Sequence, residues 1–96
     1  MNINEEIREA ELVRNYEVAK AQLKGTLRLI EIRNQDIEEQ IKMIDLARSG
    51  EIDTPFRDII IAILDDLDEL EILMAKKKQY ETKLNDFVKE EEQTEE

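Results

Sequence analysis

The sequence predicts an all-α protein: a long antiparallel helical hairpin of coiled-coil type that dimerises into a four-helix bundle. Three observations predict it. Only two glycines and one proline punctuate 96 residues, and two of those three stand within residues 48–55. On both sides of that segment apolar residues recur at alternating steps of three and four, the spacing of a coiled-coil seam. More apolar residues also lie off each seam than two packed helices cover.

The first helix is expected over about 3–48. Asn2 or Asn4 can cap it, and Asn2-Ile3-Asn4-Glu5 has capping-box-like spacing. Its apolar positions are Ile3, Ile7, Leu12, Tyr16, Ala19, Leu23, Leu27, Ile30, Ile37, Ile41 and Ile44. From Leu27 onward they alternate by three and four, with Asn34 at one seam position, where a buried Asn fixes register. Ala19, Leu23 and Leu27 are each four apart, an irregularity that locally unwinds a supercoil. Gly25 beside them weakens or kinks the helix by about 1 kcal/mol relative to Ala. A break there would give three helices.

A short turn is expected at 49–54. Gly50 suits the left-handed position after a helix C-terminus, with Arg48 facing the negative end of the dipole. Thr54 and Pro55 read as N-cap and first residue of a second helix over about 55–89. There Ile60, Ile63, Leu67, Leu70 and Met74 repeat the seam spacing. Lys77 interrupts it, and Tyr80, Leu84 and Phe87 resume on an adjacent stripe. The run 59–64 has the β-branched content of a strand. Its proline-marked start and the helical pattern after it favour a helix. Residues 1–89 thus form one unit, and 90–96 are expected to be a disordered acidic tail.

Folding about the turn sets Ile44 near Ile60, Ile41 near Ile63, Ile37 near Leu67 and Asn34 near Leu70. Leu29, Ile32, Met43 and Leu46 then flank one seam, and Ile59, Ile61, Leu64, Ile72 and Leu73 flank the other. The turn end of the second helix is apolar nearly all round, a sign of burial on more than one side. Two hairpins packed as a four-helix bundle would enclose these residues. About ten side chains at about 1.5 to 3 kcal/mol give roughly 15 to 30 kcal/mol gross, much of it cancelled by association costs. The expected interface for self-association or a partner is Met43, Leu46, Ile59, Ile61, Leu64 and Ile72.

Composition excludes much chemistry. Histidine and cysteine are absent, which removes imidazole bases, thiolate nucleophiles, Cys/His zinc sites and disulfides. With 14 bases, 25 acids and a net charge of −11, the chain would be repelled by nucleic acid and by anionic membranes. The longest apolar run, 59–64, falls far short of the roughly 20 residues a membrane span needs. The N-terminus lacks the basic start and apolar segment of a secretory signal, so a soluble cytoplasmic protein is expected. Nothing forecasts a pocket that would separate carboxylate pKa values, so neither enzymatic activity nor a cofactor is expected.

Acidity is uneven: residues 1–48 carry 8 bases and 10 acids, residues 49–96 carry 6 and 15. Asp65 shares a helix face with Asp68 and with Glu69, a spacing able to clasp Mg²⁺ or Ca²⁺. No calcium-binding loop or histidine accompanies them, so a solvated face is the expectation and no metal site. Lys77, in the basic cluster 76–78, is expected to pair with Glu81 four residues on. The leading functional expectation is a non-enzymatic interaction module that self-associates and binds another protein through an exposed apolar helical face. A second is an acidic decoy, like small phage inhibitors in type, that presents Asp65, Asp66, Asp68, Glu69 and Glu71 to a nucleic-acid-binding protein. A third is a structural scaffold.

Overall fold

The structure, a computed structural model, describes the backbone of residues 3–94 and the side chains of residues 3–88. It is a helical hairpin: α1 spans Ile3–Arg48 and α2 spans Phe56–Thr94, with no strand among the described residues. The β-branched run 59–64 is helical. Glu5 and Glu6 in the first turn of α1 and Arg48 in its last complement the helix dipole. Asn2, one of the two candidate caps, lies outside the described residues.

α1 runs unbroken through Gly25, where an added Cβ would meet only open space. Its end is a Schellman turn. The Glu51 N–H donates to the Leu46 carbonyl at 2.9 Å and the Gly50 N–H to the Ala47 carbonyl at 3.2 Å. Gly50 has a φ of 81°, the left-handed conformation that turn requires. The Ser49 hydroxyl donates a further bond to Leu46, at 3.0 Å. α2 begins at Phe56, one residue later than expected, and the Pro55 carbonyl accepts from the Asp58 and Ile59 N–H groups.

At its far end α2 continues to Thr94, beyond the expected helix boundary at about 89. Glu and Gln are strong helix formers and extend the helix beyond the last apolar position. Residues 95 and 96 lie outside the described residues.

The packed seam differs in phase from the expected one. Tyr16 and Phe87 meet edge to face, with ring centroids 5.9 Å apart. Stepping one heptad up α1 and one down α2 sets Leu23 opposite Tyr80, Ile30 opposite Leu73, Ile37 opposite Asp66 and Ile44 opposite Ile59. The protected residues of α1 include Tyr16, Ala19, Leu23, Thr26, Ile30, Arg33, Ile37, Gln40, Ile44 and Ala47, an unbroken alternation of three and four, with Asp36 half-buried beside it. Those of α2 include Ile59, Ile63, Asp66, Leu70, Leu73, Lys77, Tyr80, Leu84 and Phe87, equally regular. With Thr26 in the row, the apparent irregularity around Gly25 disappears. Leu27, Asn34 and Ile41, expected in the seam, are exposed, as are Ile60, Leu67 and Met74.

Thr26, Arg33 and Gln40 hold places in the α1 row, and each makes a local or cross-helix contact. The Thr26 hydroxyl donates to the Gln22 carbonyl at 2.8 Å, Gln40 Nε2 donates to Asp66 Oδ2 at 2.8 Å, and Arg33 reaches three carboxylates. Lys77 lies within 3.7 Å of Glu81, the expected pair.

Two helices alone leave little interior. Only Ala19, Thr26 and Ile59 are buried among the described residues. The radius of gyration is 21.4 Å, where a compact chain of this length has about 12–13 Å. The accessible surface is 8122 Å², where a compact monomer of 11.4 kDa has roughly 5,800 Å².

Candidate functional site

In an antiparallel helix pair the two rows beside the seam on one side face each other across it, as do the two rows on the other side. The hairpin therefore has two flanks, and they differ in chemistry.

Charge closes the first flank. Arg33 Nε lies 2.6 Å from Glu69 Oε2, and its terminal nitrogen donates to Asp36 Oδ2 at 3.2 Å and lies 3.9 Å from Asp66 Oδ1. Asp66 is only 15% exposed and also accepts from Gln40, so two side chains of α1 engage this carboxylate of α2. Pairs this close to solvent contribute only about 0.2–1 kcal/mol each.

Apolar side chains line the second flank. On α1 the row beside the seam reads Val13, Lys20, Leu27, Asn34, Ile41; on α2 it reads Ile60, Leu67, Met74, Glu81, Val88. The register sets Ile41 level with Ile60, Asn34 with Leu67, Leu27 with Met74, Lys20 with Glu81 and Val13 with Val88. Leu27, Ile41, Ile60, Leu67 and Met74 are each between 41 and 51% exposed. Here five large apolar residues and one Asn form a continuous strip across both helices. Helices with only two rows of seven apolar suit a two-stranded coil, whereas a third apolar row is the pattern of helices in a bundle.

The expected interface residues divide between inside and outside. Ile59 is 3% exposed and belongs to the hairpin's own core, which removes it from any external contact. It sits directly opposite Ile44, a position the expected phase assigned to Ile60. Met43, Leu46, Ile61, Leu64 and Ile72 are exposed. Met43 and Leu46 form a further apolar patch on α1 with Leu29 and Ile32, on the charged side of the seam. Ile61 and Leu64 point outward from the turn end of α2.

Asn34 lies outside the intrachain seam, where Arg33 and its carboxylates are polar contacts between the helices. Of the acidic set, Asp66 and Glu69 are engaged by Arg33, while Asp65, Asp68 and Glu71 remain exposed. No group of three or more carboxylates able to hold a metal ion occurs among the described residues. The surface carries shallow, solvent-open depressions, one lined by Glu17, Lys20, Ala21, Leu23, Lys24 and Leu27. No helix among the described residues is long and apolar enough to cross a membrane.

No protein-family model matches this chain, and no curated protein or solved structure matches it significantly.

The residues missed as surface are Leu27, Ile41, Ile60, Leu67 and Met74. One signal could have found them: the alternation from Tyr16 to Ala47 is unbroken only if Thr26, Arg33 and Gln40 belong to the seam.

Proposed function

We propose that this chain is a non-enzymatic helical-hairpin interaction module that associates with itself and docks onto another protein through apolar helix faces. The observation that carries this reading is the apolar flank, where Leu27, Ile41, Ile60, Leu67 and Met74 lie in register on one side of the rod. A solvent-facing strip of this size is characteristic of an interaction site. Half-exposed side chains of this kind gain about 1 kcal/mol each on being covered. The patch at Met43 and Leu46 and the turn-end residues Ile61 and Leu64 supply a second apolar area for another protein, by helix-in-groove packing.

Sedimentation equilibrium over a wide concentration range, at about 50 and 500 mM salt, tests the self-association. The expected result is one discrete species larger than a single chain, equally stable at both salt levels. A lone chain at the highest concentration would overturn the reading. An open-ended series of species would point to a scaffold instead. For the heterologous partner, affinity capture at 500 mM salt is compared between the native chain and Leu64→Asp. Retention by the native chain alone is expected, and capture lost by raising salt would favour the acidic decoy.

A further inference from the structure

We infer that a second copy of the chain covers the apolar flank, related by a two-fold axis along the rod, so that both turns lie at the same end. This rests on the proposed self-association and specifies its surface and its symmetry.

Area supports a second copy as the occupant. From the level of Val13 and Val88 to that of Ile41 and Ile60 the flank is about 42 Å long at 1.5 Å per residue. The hairpin is 20 Å wide. The product, roughly 800 Å² per copy, is what a stable interface of standard size buries on each partner.

Charge and apolar pattern select the symmetry. A two-fold axis along the rod lays the α1 row of each copy over the α2 row of the other at the same level. Ile41 then covers Ile60 of the second copy, Leu27 covers Met74, and Val13 covers Val88. Lys20 meets Glu81 of the second copy, cation on anion. The alternative axis crosses the rod and puts the turns at opposite ends. Centred on Asn34, it sets Lys20 over Arg48, cation on cation. Centred on Leu27, it buries Leu67 against Glu81 and Lys20 against Asn34. The axis along the rod covers all five levels with no like charges opposed, leaving only Asn34 with Leu67 unlike in kind. The crossing axis on Asn34 pairs the inner apolar levels too, but it opposes Lys20 to Arg48 and carries Val13 past the end of α1. One polar residue in an otherwise apolar layer is the device that fixes register in helix assemblies, so Asn34 gains that role between copies.

The chain has no cysteine, so Glu51→Cys in the exposed turn gives one labelling site per copy. Pulsed dipolar spectroscopy on the spin-labelled full chain then reads the distance between turns. The expected distance is within about 35 Å, the span of two hairpins packed at helix separations of 8–10 Å. A distance comparable to the 73 Å rod would overturn the symmetry. In parallel, Leu67→Asp should weaken self-association at least a hundredfold while leaving the helical circular dichroism unchanged, because Leu67 is outside the intrachain seam. Ile41→Asp on the other helix should do the same. A dimer that survives both substitutions overturns this surface but leaves self-association standing. A native chain that never associates overturns both.

Discussion

The two flanks of this hairpin share one seam and one pair of helices, yet only one of them is bridged by ion pairs. On the charged flank, Arg33 gathers Asp36, Asp66 and Glu69, and Gln40 joins Asp66 across the helices. The carboxylates and the guanidinium have partners within the chain, although the buried Gln40 Oε1 has none. On the other flank Leu27, Ile41, Ile60, Leu67 and Met74 have no such recourse, because an apolar side chain is satisfied only by being covered. The lesson is a division of labour. Polar pairs join the two helices, and the apolar strip is left facing solvent.

The largest effect should appear where the seam is contrasted with the outer surface on one turn of α2. Ile59→Ala opens a cavity beside Ile44 and is expected to lower stability by about 2–4 kcal/mol in urea denaturation. Ile61→Ala, two residues on and exposed, should stay within about 0.5 kcal/mol. Equal losses would erase the distinction between inside and outside at the turn end.

Arg33→Leu probes the charged flank. Leaving Asp66 half-enclosed without its guanidinium should cost about 1–2 kcal/mol, and Arg33→Lys should recover only part, since an ammonium lacks the planar fork. Self-association should change by less than about threefold, because the substitution lies away from the apolar strip. A large change in association instead would mean the two flanks are not independent.

The smallest effects come from the two glycines, which should move stability in opposite directions. Gly50→Ala places a Cβ on a backbone at φ 81° and should cost about 1 kcal/mol. Gly25→Ala meets open space on a regular helix and should stabilise by a little under 1 kcal/mol. Shifts of the same sign in thermal melts would show that one of these local conformations is wrong.

Much of the architecture was legible in the sequence. Gly50 and Pro55 marked the turn because each has a backbone preference that few other residues share. The long alternation of apolar residues marked both helices, and Ile30, Ile37, Ile44, Ile63 and Leu70 were placed in the seam where they pack. The phase of the other row was not legible. Leu27 and Ile41 are more hydrophobic than Thr26, Arg33 and Gln40, so a reading by apolarity alone assigns them to the inside. What reverses the choice is pairing across the turn: Arg33 with Glu69, and Gln40 with Asp66. Those pairs become visible only when the register is known. The same ambiguity misplaced Ile59 as an outward anchor and Asn34 as an inward one. It arises because three apolar rows, not two, are written into each helix near the turn.

The antiparallel register also orders the formation and loss of the fold. Ile44 and Ile59 flank the turn in the packed rows of the two helices, so bringing them together closes only a short loop. Tyr16 and Phe87 are joined through almost the whole chain and meet cheaply only after every heptad between has closed. The hairpin should therefore zip from its turn, with amide exchange slowest around Ile44 and Ile59 and progressively faster toward Ile3 and Thr94. Because those two helix ends emerge side by side, a pull applied there would peel the rod open one heptad at a time, leaving the Schellman turn for last.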